Sequence, residues 1–197
     1  MNQRISVLLA CLLASTLLAG CENLQRNGKA PDPTYEQANG NSFTTANYAA
    51  ATELMKRYQG PASANNFSGT ASGTAPFIIA TLVNIDKLEQ SSTFGRLVSE
   101  QLASRITQLG HNAVELKVRN GVFMKRNEGE FLLTREIKEV ATAHKAQAIV
   151  VGTYAEASEF VYVNLKVVNP ANSLILAAYD YALPMDKEIR RLVSASK

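Results

Sequence analysis

The arrangement of apolar and polar positions predicts alternating strands and helices. Residues 77–83 form a short, nearly continuous apolar run rich in β-branched side chains, which is typical of a strand covered on both faces. Residues 93–109 repeat apolar side chains at the spacing of one helical face, with Ser92 or Thr93 placed to cap the start of the helix. Residues 112–119 alternate apolar and polar side chains, which indicates a strand with one solvated face.

The same succession continues toward the end of the chain. A second helix is predicted to begin at Thr134, and residues 148–152 form a third buried strand. Two further strands, at 160–168 and 174–181, are separated by an Asn-Pro-Ala-Asn turn, which predicts an antiparallel hairpin. These elements predict an α/β fold, with a mixed sheet of about five strands, packed helices and that hairpin at its end.

The pattern is weaker at the two ends of the domain. An alanine-rich helix is predicted over 45–58, followed by a loop of small and polar residues at 62–75. The folded domain is therefore expected to span 43–186. Residues 187–197 form a short amphipathic tail, which either contacts a membrane or partner or is simply a solvated helical turn or two.

The first 20 residues have the layout of a bacterial secretion signal, with Arg4, an apolar run and then small residues. The apolar run is too short to span a bilayer comfortably. The sequence Leu18-Ala19-Gly20-Cys21 resembles the bacterial lipobox, in which the cysteine sulfur receives a lipid before cleavage, so Cys21 is the predicted lipidation site. The alternatives are a buried helix at the start of the domain, or an ordinary signal peptide with an incidental cysteine.

Residues 21–42 are expected to comprise the lipidated cysteine and a flexible tether. Their Asn, Gln, Gly, Pro and Asp side chains leave too little apolar surface to order the segment. Acyl chains on Cys21 would hold the mature protein in a membrane. Glu22 stands where an aspartate would resemble an inner-membrane retention signal, and it therefore favours the outer membrane.

Charge and cysteine content exclude several classes of function. The net charge of +3 over 197 residues includes no Lys/Arg cluster, so no nucleic-acid partner is expected. Of the two cysteines, Cys11 lies in the segment predicted to be removed. Lipidation of Cys21 would then leave no free thiol, which excludes a disulfide, a cysteine metal site and thiol catalysis.

No catalytic constellation emerges, and neither enzymatic activity nor a cofactor or metal is expected. His111 and His144 lie near the ends of predicted helices, where interaction with the helix terminus explains them, and no H-E-x-x-H spacing is present. Residues 69–74 superficially resemble a phosphate loop but lack its Gly-Lys-Ser/Thr ending. Four carboxylates without a defined pairing are interpreted as solvated charges: Asp86, Glu128, Glu130 and Asp180.

Tyrosine is concentrated in the terminal strands, at Tyr154, Tyr162, Tyr179 and Tyr181. Tyrosine supplies apolar area and one hydrogen bond at small entropic cost, so this cluster could form a protein interface. Aromatic packing between neighbouring strands of one sheet explains the cluster equally well.

Several sequence segments together resemble the FlgO-type outer-membrane lipoproteins associated with the bacterial flagellum. The segments are SSTFGRLVSEQL at 91–102, GEFLLTRE at 129–136, VGTY at 151–154 and VYVN at 161–164, and the resemblance covers roughly residues 48–184. It implies a non-enzymatic structural or assembly role at the flagellar base, needed for motility. The partners it implies are flagellar envelope proteins, and the chain's own copies are further candidates. The rival hypothesis is an envelope lipoprotein that binds a cell-wall glycan or small ligand through loops between the strands.

Overall fold

The chain folds around a mixed β-sheet, which the computed structural model describes over residues 32–58, 75–88, 91–116 and 135–195. The strands are β1 (Phe77–Ala80), β2 (Val83–Asn84), β3 (Ala113–Leu116), β4 (Ala148–Glu156), β5 (Phe160–Val168) and β6 (Ile175–Pro184). The helices are α1 (Tyr35–Asn39), α2 (Ser42–Arg57), α3 (Thr93–Gln108), α4 (Arg135–Ala143) and α5 (Lys187–Ser194).

Strand pairing confirms the predicted fold class. Over the described ranges the sheet has six strands, in the order β3-β1-β4-β5-β6, with β2 paired to β4. Strand β1 lies parallel to both β3 and β4. Strands β4, β5 and β6 run antiparallel in sequence, so the sheet ends in the expected hairpin. The predicted strand over 148–152 is longer than its apolar run indicated and continues to Glu156.

Alternation along the strands gives the sheet two apolar faces, and every residue of β1 is buried, as predicted. Phe77 and Ile79 belong to the larger apolar cluster, which also takes side chains from α2, α3 and α5. Ile78 belongs to the cluster on the opposite face, together with Ile137 and Ala141 of α4. Burial of an aliphatic or aromatic side chain of this size stabilises a fold by about 1.5–3 kcal/mol, so these clusters fix the register of the sheet.

Capping side chains set where two helices begin. The side-chain oxygen Oδ1 of Asn41 accepts a hydrogen bond from the Phe43 backbone amide at 2.8 Å, and α2 therefore begins at Ser42 rather than at residue 45. Ser92 Oγ accepts from the Gly95 amide at 3.2 Å, which confirms Ser92 as the N-cap of α3. Gly110 follows α3 at a φ of 89°, a conformation that glycine adopts without steric cost.

The first predicted strand is interrupted at residues 81–82, where α3 lies against the backbone. The Leu82 amide donates a hydrogen bond to Ser99 Oγ at 2.8 Å, so its partner is a helix side chain. A Cβ atom at Gly95 would lie 2.2 Å from the Leu82 carbonyl oxygen. Close approach of α3 therefore separates β1 from β2 within the apolar run over 77–83.

The C-terminal tail is part of the packed domain, which corrects the predicted boundary at residue 186 and the solvated interpretation of 187–197. Helix α5 buries Ile189 and Val193 in the larger apolar cluster. The Thr93 amide and hydroxyl groups both donate to the Ala195 carbonyl oxygen, at 2.9 and 3.0 Å. The amphipathic pattern of the tail is therefore that of a short helix packed on its own domain.

A short helix lies in the segment predicted as a tether. Helix α1 is preceded by Thr34, whose amide donates to the Gln37 side chain at 2.9 Å. The side chains of residues 32–38 are exposed. A local capping interaction therefore supports one helical turn without apolar burial within the range 21–42, and the tether itself stays a prediction. Helix α1 belongs to a separate unit that ends at Asn39.

Candidate interaction surface

Several residues singled out from the sequence lie outside the described part of the chain. They include the predicted lipidation site Cys21, the loop at 69–74, Glu128 and Glu130. The assignments made for them stay predictions. Asp86, by contrast, is described, and it lies exposed in the turn after β2.

The two histidines occupy different environments. The His111 ring packs against Phe77 in a T-shaped arrangement, with 5.4 Å between ring centroids, and burial lowers the pKa of His111. His144 is exposed in the turn that follows α4. Among the described residues, no three His, Cys, Asp or Glu side chains are grouped so that they could hold a metal ion.

Of the helices in the described ranges, none is both long enough and apolar enough to cross a membrane.

Two of the four tyrosines are structural. Tyr154 is 2% exposed, and its hydroxyl donates to Ser92 Oγ at 2.7 Å. The Tyr181 hydroxyl donates to the Asn47 side-chain carbonyl. Burial raises the pKa of both phenols, so they stay protonated hydrogen-bond donors at neutral pH. The packing interpretation therefore applies to Tyr154 and Tyr181.

The remaining two tyrosines lie on opposite faces of the sheet. Tyr179 is stacked beside Tyr181, with the Arg57 guanidinium 4.9 Å from the centre of its ring. Tyr162 lies on the other face and is 54% exposed. Only Tyr162 therefore presents most of its ring to a potential partner, and the structure does not bring the four tyrosines into one surface.

Tyr162 belongs to a surface across β4, β5 and β6 that we call the open face. One row of directly paired residues is Ala155–Tyr162–Ala182, and the next is Thr153–Asn164–Asp180. Ile85, which follows β2 and is 48% exposed, lines the same surface. The apolar cluster on this side of the sheet ends at Val151 on β4 and Val168 on β5. In the rows beyond it, Tyr162, Asp180 and Ala182 are exposed, whereas Thr153 is buried.

The second row carries hydrogen-bonding groups. The Asn164 amide donates to the Asp180 carboxylate, its direct cross-strand neighbour. Lys166 lies one row further along β5. Burial lowers the pKa of Lys166, and the opposing effect of the nearby Asp180 charge is smaller. A carboxylate, an amide and an ammonium group thus lie side by side, and the charges of Asp180 and Lys166 offset one another.

The open face is concave. Its residues line an open depression of about 550 Å³, and they include Ile85, Tyr162 and the alanines Ala155 and Ala182. This volume lies within the range of small-molecule sites, about 300–1,000 Å³. An aromatic ring beside hydrogen-bonding groups can bind a ligand that has one apolar face and a polar rim.

Only the β5 part of this surface was predictable from the sequence. Alternation correctly placed Tyr162, Asn164 and Lys166 on one side of a strand. Their neighbours Asp180 and Ala182 are set by the β5–β6 register. A hairpin turn with an irregular register, shifted here between Val167 and Val168, could not be predicted from local sequence.

The fold is that of an α/β domain with a mixed sheet, in which α2, α3 and α5 pack on one face and α4 packs on part of the other. A family model described as FlgO protein matches residues 48–188, and the chain belongs to this family. The match confirms the resemblance found in the four sequence segments. Together with the lipobox-like sequence before Cys21, family membership supports an envelope lipoprotein. No curated protein matches the chain.

Solved structures with similar folds are distant. The LpoB C-terminal domain from Salmonella enterica is 10% identical, with a TM-score of 0.46 over 73% of this chain and 98% of that chain. The PelC dodecamer from Paraburkholderia phytofirmans is 10% identical, with a TM-score of 0.38 over 61% and 81%. Lipoprotein GNA1162 from Neisseria meningitidis is 10% identical, with a TM-score of 0.37 over 58% and 84%. Similarity at this level carries no functional argument.

Proposed function

We propose that this protein is an outer-membrane lipoprotein with a structural or assembly role at the flagellar base, and that motility requires it. The observation that carries the proposal is the match to the FlgO family over residues 48–188, which spans nearly all of the described domain. The proposed role is non-enzymatic and needs no cofactor. Its partners are flagellar envelope proteins, and nucleic acid is not among them.

Anchoring is proposed to occur through Cys21. A single acyl chain holds a protein only reversibly, whereas two or more hold it stably at about 0.8 kcal/mol per buried methylene. A fully acylated Cys21 would therefore keep the domain at the membrane, with Glu22 favouring the outer one. The residues between Cys21 and α2 would separate the domain from the bilayer.

Self-association is a further part of the proposal. Strand β6 pairs with β5 along one side, and no described strand pairs with its other side. An unpaired strand edge can accept a strand from another chain through backbone hydrogen bonds. Light scattering of the purified, lipidated protein over a range of concentrations tests this, and a monomeric mass throughout would contradict self-association.

The experiment for the main proposal is a deletion strain complemented with the wild type, Cys21→Ser or Cys11→Ser. Cys11→Ser is the matched control, because it removes the only other cysteine and leaves the lipobox-like sequence intact. Swimming, membrane fractionation and imaging of the flagellar base are measured in each strain. We expect the deletion and Cys21→Ser strains to lose motility, and Cys11→Ser to restore it.

Two results would contradict the proposal at different points. Normal motility and a normal flagellar base in the deletion strain would refute the flagellar role itself. Full motility with Cys21→Ser protein recovered in the soluble fraction would refute the requirement for the anchor.

A further inference from the structure

The aromatic row of the open face leaves both flanks of one ring uncovered. Tyr162 is paired directly with Ala155 on β4 and with Ala182 on β6. Cβ atoms of paired residues on antiparallel strands lie about 5 Å apart, so larger side chains at these two positions would pack against the ring. Because both neighbours are alanines, no bulky cross-strand side chain covers either flank of the Tyr162 ring.

A second aromatic side chain extends this platform along β5. Phe160 is 45% exposed, and its ring centroid lies 6.3 Å from that of Tyr162. The two residues are separated by one position on the same strand, and their side chains therefore project on the same side of the sheet. The platform is long enough for more than one ring-shaped unit.

Hydrogen-bonding groups border the platform on one side. Asn164 and Asp180 form the neighbouring row, and one bond between them leaves further lone pairs on both side chains for a ligand. Such groups, placed at the edge of an aromatic surface, accept hydrogen bonds from hydroxyl or amide groups of a bound molecule. The adjacent Lys166 balances the charge of Asp180, so the surface does not select a strongly charged ligand.

We propose that the open face binds a glycan strand, with the apolar face of one pyranose ring on Tyr162 and its hydroxyl or acetamido groups on Asn164 and Asp180. The C–H bonds on the face of a pyranose are polarised toward positive hydrogen, which complements the negative face of an aromatic ring. A second sugar unit would reach Phe160. Ile85 forms the apolar wall across the depression from the strand hairpin.

A glycan fits this surface better than a protein partner does. A stable protein interface buries roughly 800 Å² on each side and is built around a continuous apolar centre. In this depression, the apolar side chains lie directly beside the Asn164 amide and the Asp180 carboxylate, so no continuous apolar centre is present. The depression also has the volume of a small-ligand site. The proposal is independent of the flagellar role.

The test uses the full lipidated chain in a zwitterionic detergent, because sugar-based detergents would compete for the site. Chitotetraose is the probe, sorbitol is the polyol control without a ring, and binding is measured by calorimetry and by saturation-transfer NMR. We expect chitotetraose to bind and sorbitol not to bind. Tyr162→Ala is expected to weaken chitotetraose binding at least about tenfold, whereas Tyr162→Phe keeps the ring and retains binding.

Two matched pairs separate the site from effects on folding. Tyr35→Ala removes an exposed tyrosine from α1 and is expected to leave binding unchanged. Ala182→Leu fills one flank of the Tyr162 ring and is expected to weaken binding. Ala178→Leu, four positions earlier on the same strand and beside Lys166, is its control and should bind normally. Circular dichroism spectra verify that each variant is folded.

The proposal is overturned if the wild type binds no chitotetraose, or if folded Tyr162→Ala and Ala182→Leu both bind it as the wild type does. It is also overturned if the wild type does not bind chitotetraose and Tyr162→Ala lowers the molar mass of a self-associated form. That last result would identify the open face as a contact between copies of the chain.

Discussion

The Tyr181 hydroxyl donates a hydrogen bond to the side-chain carbonyl of Asn47, a residue 134 positions earlier in the chain. Asn47 is fully buried, and its own amide donates to Gln101 on α3 at 2.6 Å. One chain of hydrogen bonds thus connects α2, α3 and the edge strand β6 inside an otherwise apolar layer. A buried polar group of this kind is tolerated only while each partner is present.

Tyr181→Phe is expected to destabilise the protein by about 1–3 kcal/mol, because the buried Asn47 oxygen loses its donor while the apolar ring is retained. Tyr179→Phe is the matched control, since Tyr179 is on the same strand and its ring would still lie under Arg57. The free energy of unfolding is measured in urea for both variants. Equal losses in the two variants would show that the bond to Asn47 contributes nothing specific.

Ser99→Ala is expected to loosen the junction between the sheet and α3. Ser99 Oγ accepts from the Leu82 amide at 2.8 Å and donates to the Gly95 carbonyl at 2.9 Å, in a fully buried setting. Without the hydroxyl, the buried Leu82 amide lacks this acceptor, at a cost of about 1–3 kcal/mol. Ser104→Ala, on an exposed position of the same helix, should be nearly neutral. Thermal unfolding compares the two variants, and a neutral Ser99→Ala would contradict the assignment.

Gly95→Ala is expected to cost about 3 kcal/mol or prevent folding. The added Cβ would lie 2.2 Å from the Leu82 carbonyl oxygen, which is backbone and cannot move aside cheaply. This clash outweighs the gain of about 1 kcal/mol that alanine brings to a helix interior. At Gly110, by contrast, an added Cβ meets no atom within 4 Å, and Gly110→Ala carries only the strain of a positive φ. Chemical unfolding should rank Gly95→Ala as the more damaging change; the reverse order would be inconsistent with close packing at Leu82.

Periodicity predicted the fold class because each element shows its burial in its own sequence. The β1 run is apolar at every position, and β5 alternates, so each strand was recognisable without its neighbours. The break after Ala80 was not predictable, since its cause is the approach of α3 at Gly95. Composition predicted neither the capped turn of α1 nor the packing of α5. The polar segment around α1 does not reveal its capping contact, and the amphipathic pattern of α5 does not reveal which surface it packs against.

The candidate site was less predictable than the fold. The exposed side of β5 followed from alternation, which correctly separated Tyr162 from Val161 and Val163. The alanines on either side of Tyr162 have no distinctive sequence signal, and only strand register brings them beside the ring. The four tyrosines are close in sequence, but they do not form one cluster. Alternation along the strands, together with their pairing, places Tyr154, Tyr179 and Tyr181 on one face of the sheet and Tyr162 on the other.

Acid sensitivity is expected to depend on His111. Burial lowers its pKa below the ordinary value of 6.5, so the folded protein resists protonation that the unfolded chain accepts. The stability due to the neutral ring is therefore fully present above pH 6.5 and is lost as the pH falls from 6.5 through the folded-state pKa. Protonation would also place a charge beside the Phe77 ring, 5.4 Å away between centroids.

His111→Gln should therefore reduce the drop in melting temperature between about pH 7.5 and about pH 5, because glutamine does not titrate. The variant is expected to melt at a lower temperature than the wild type at the higher pH, because the ring contact with Phe77 is lost. The quantity to compare is therefore the change in melting temperature between the two pH values in each protein. His144→Gln removes the exposed histidine and should keep the wild-type drop. If His111→Gln and His144→Gln retain the same acid-induced drop, burial of His111 is not the source of the acid sensitivity, and the titrating carboxylates would account for it instead.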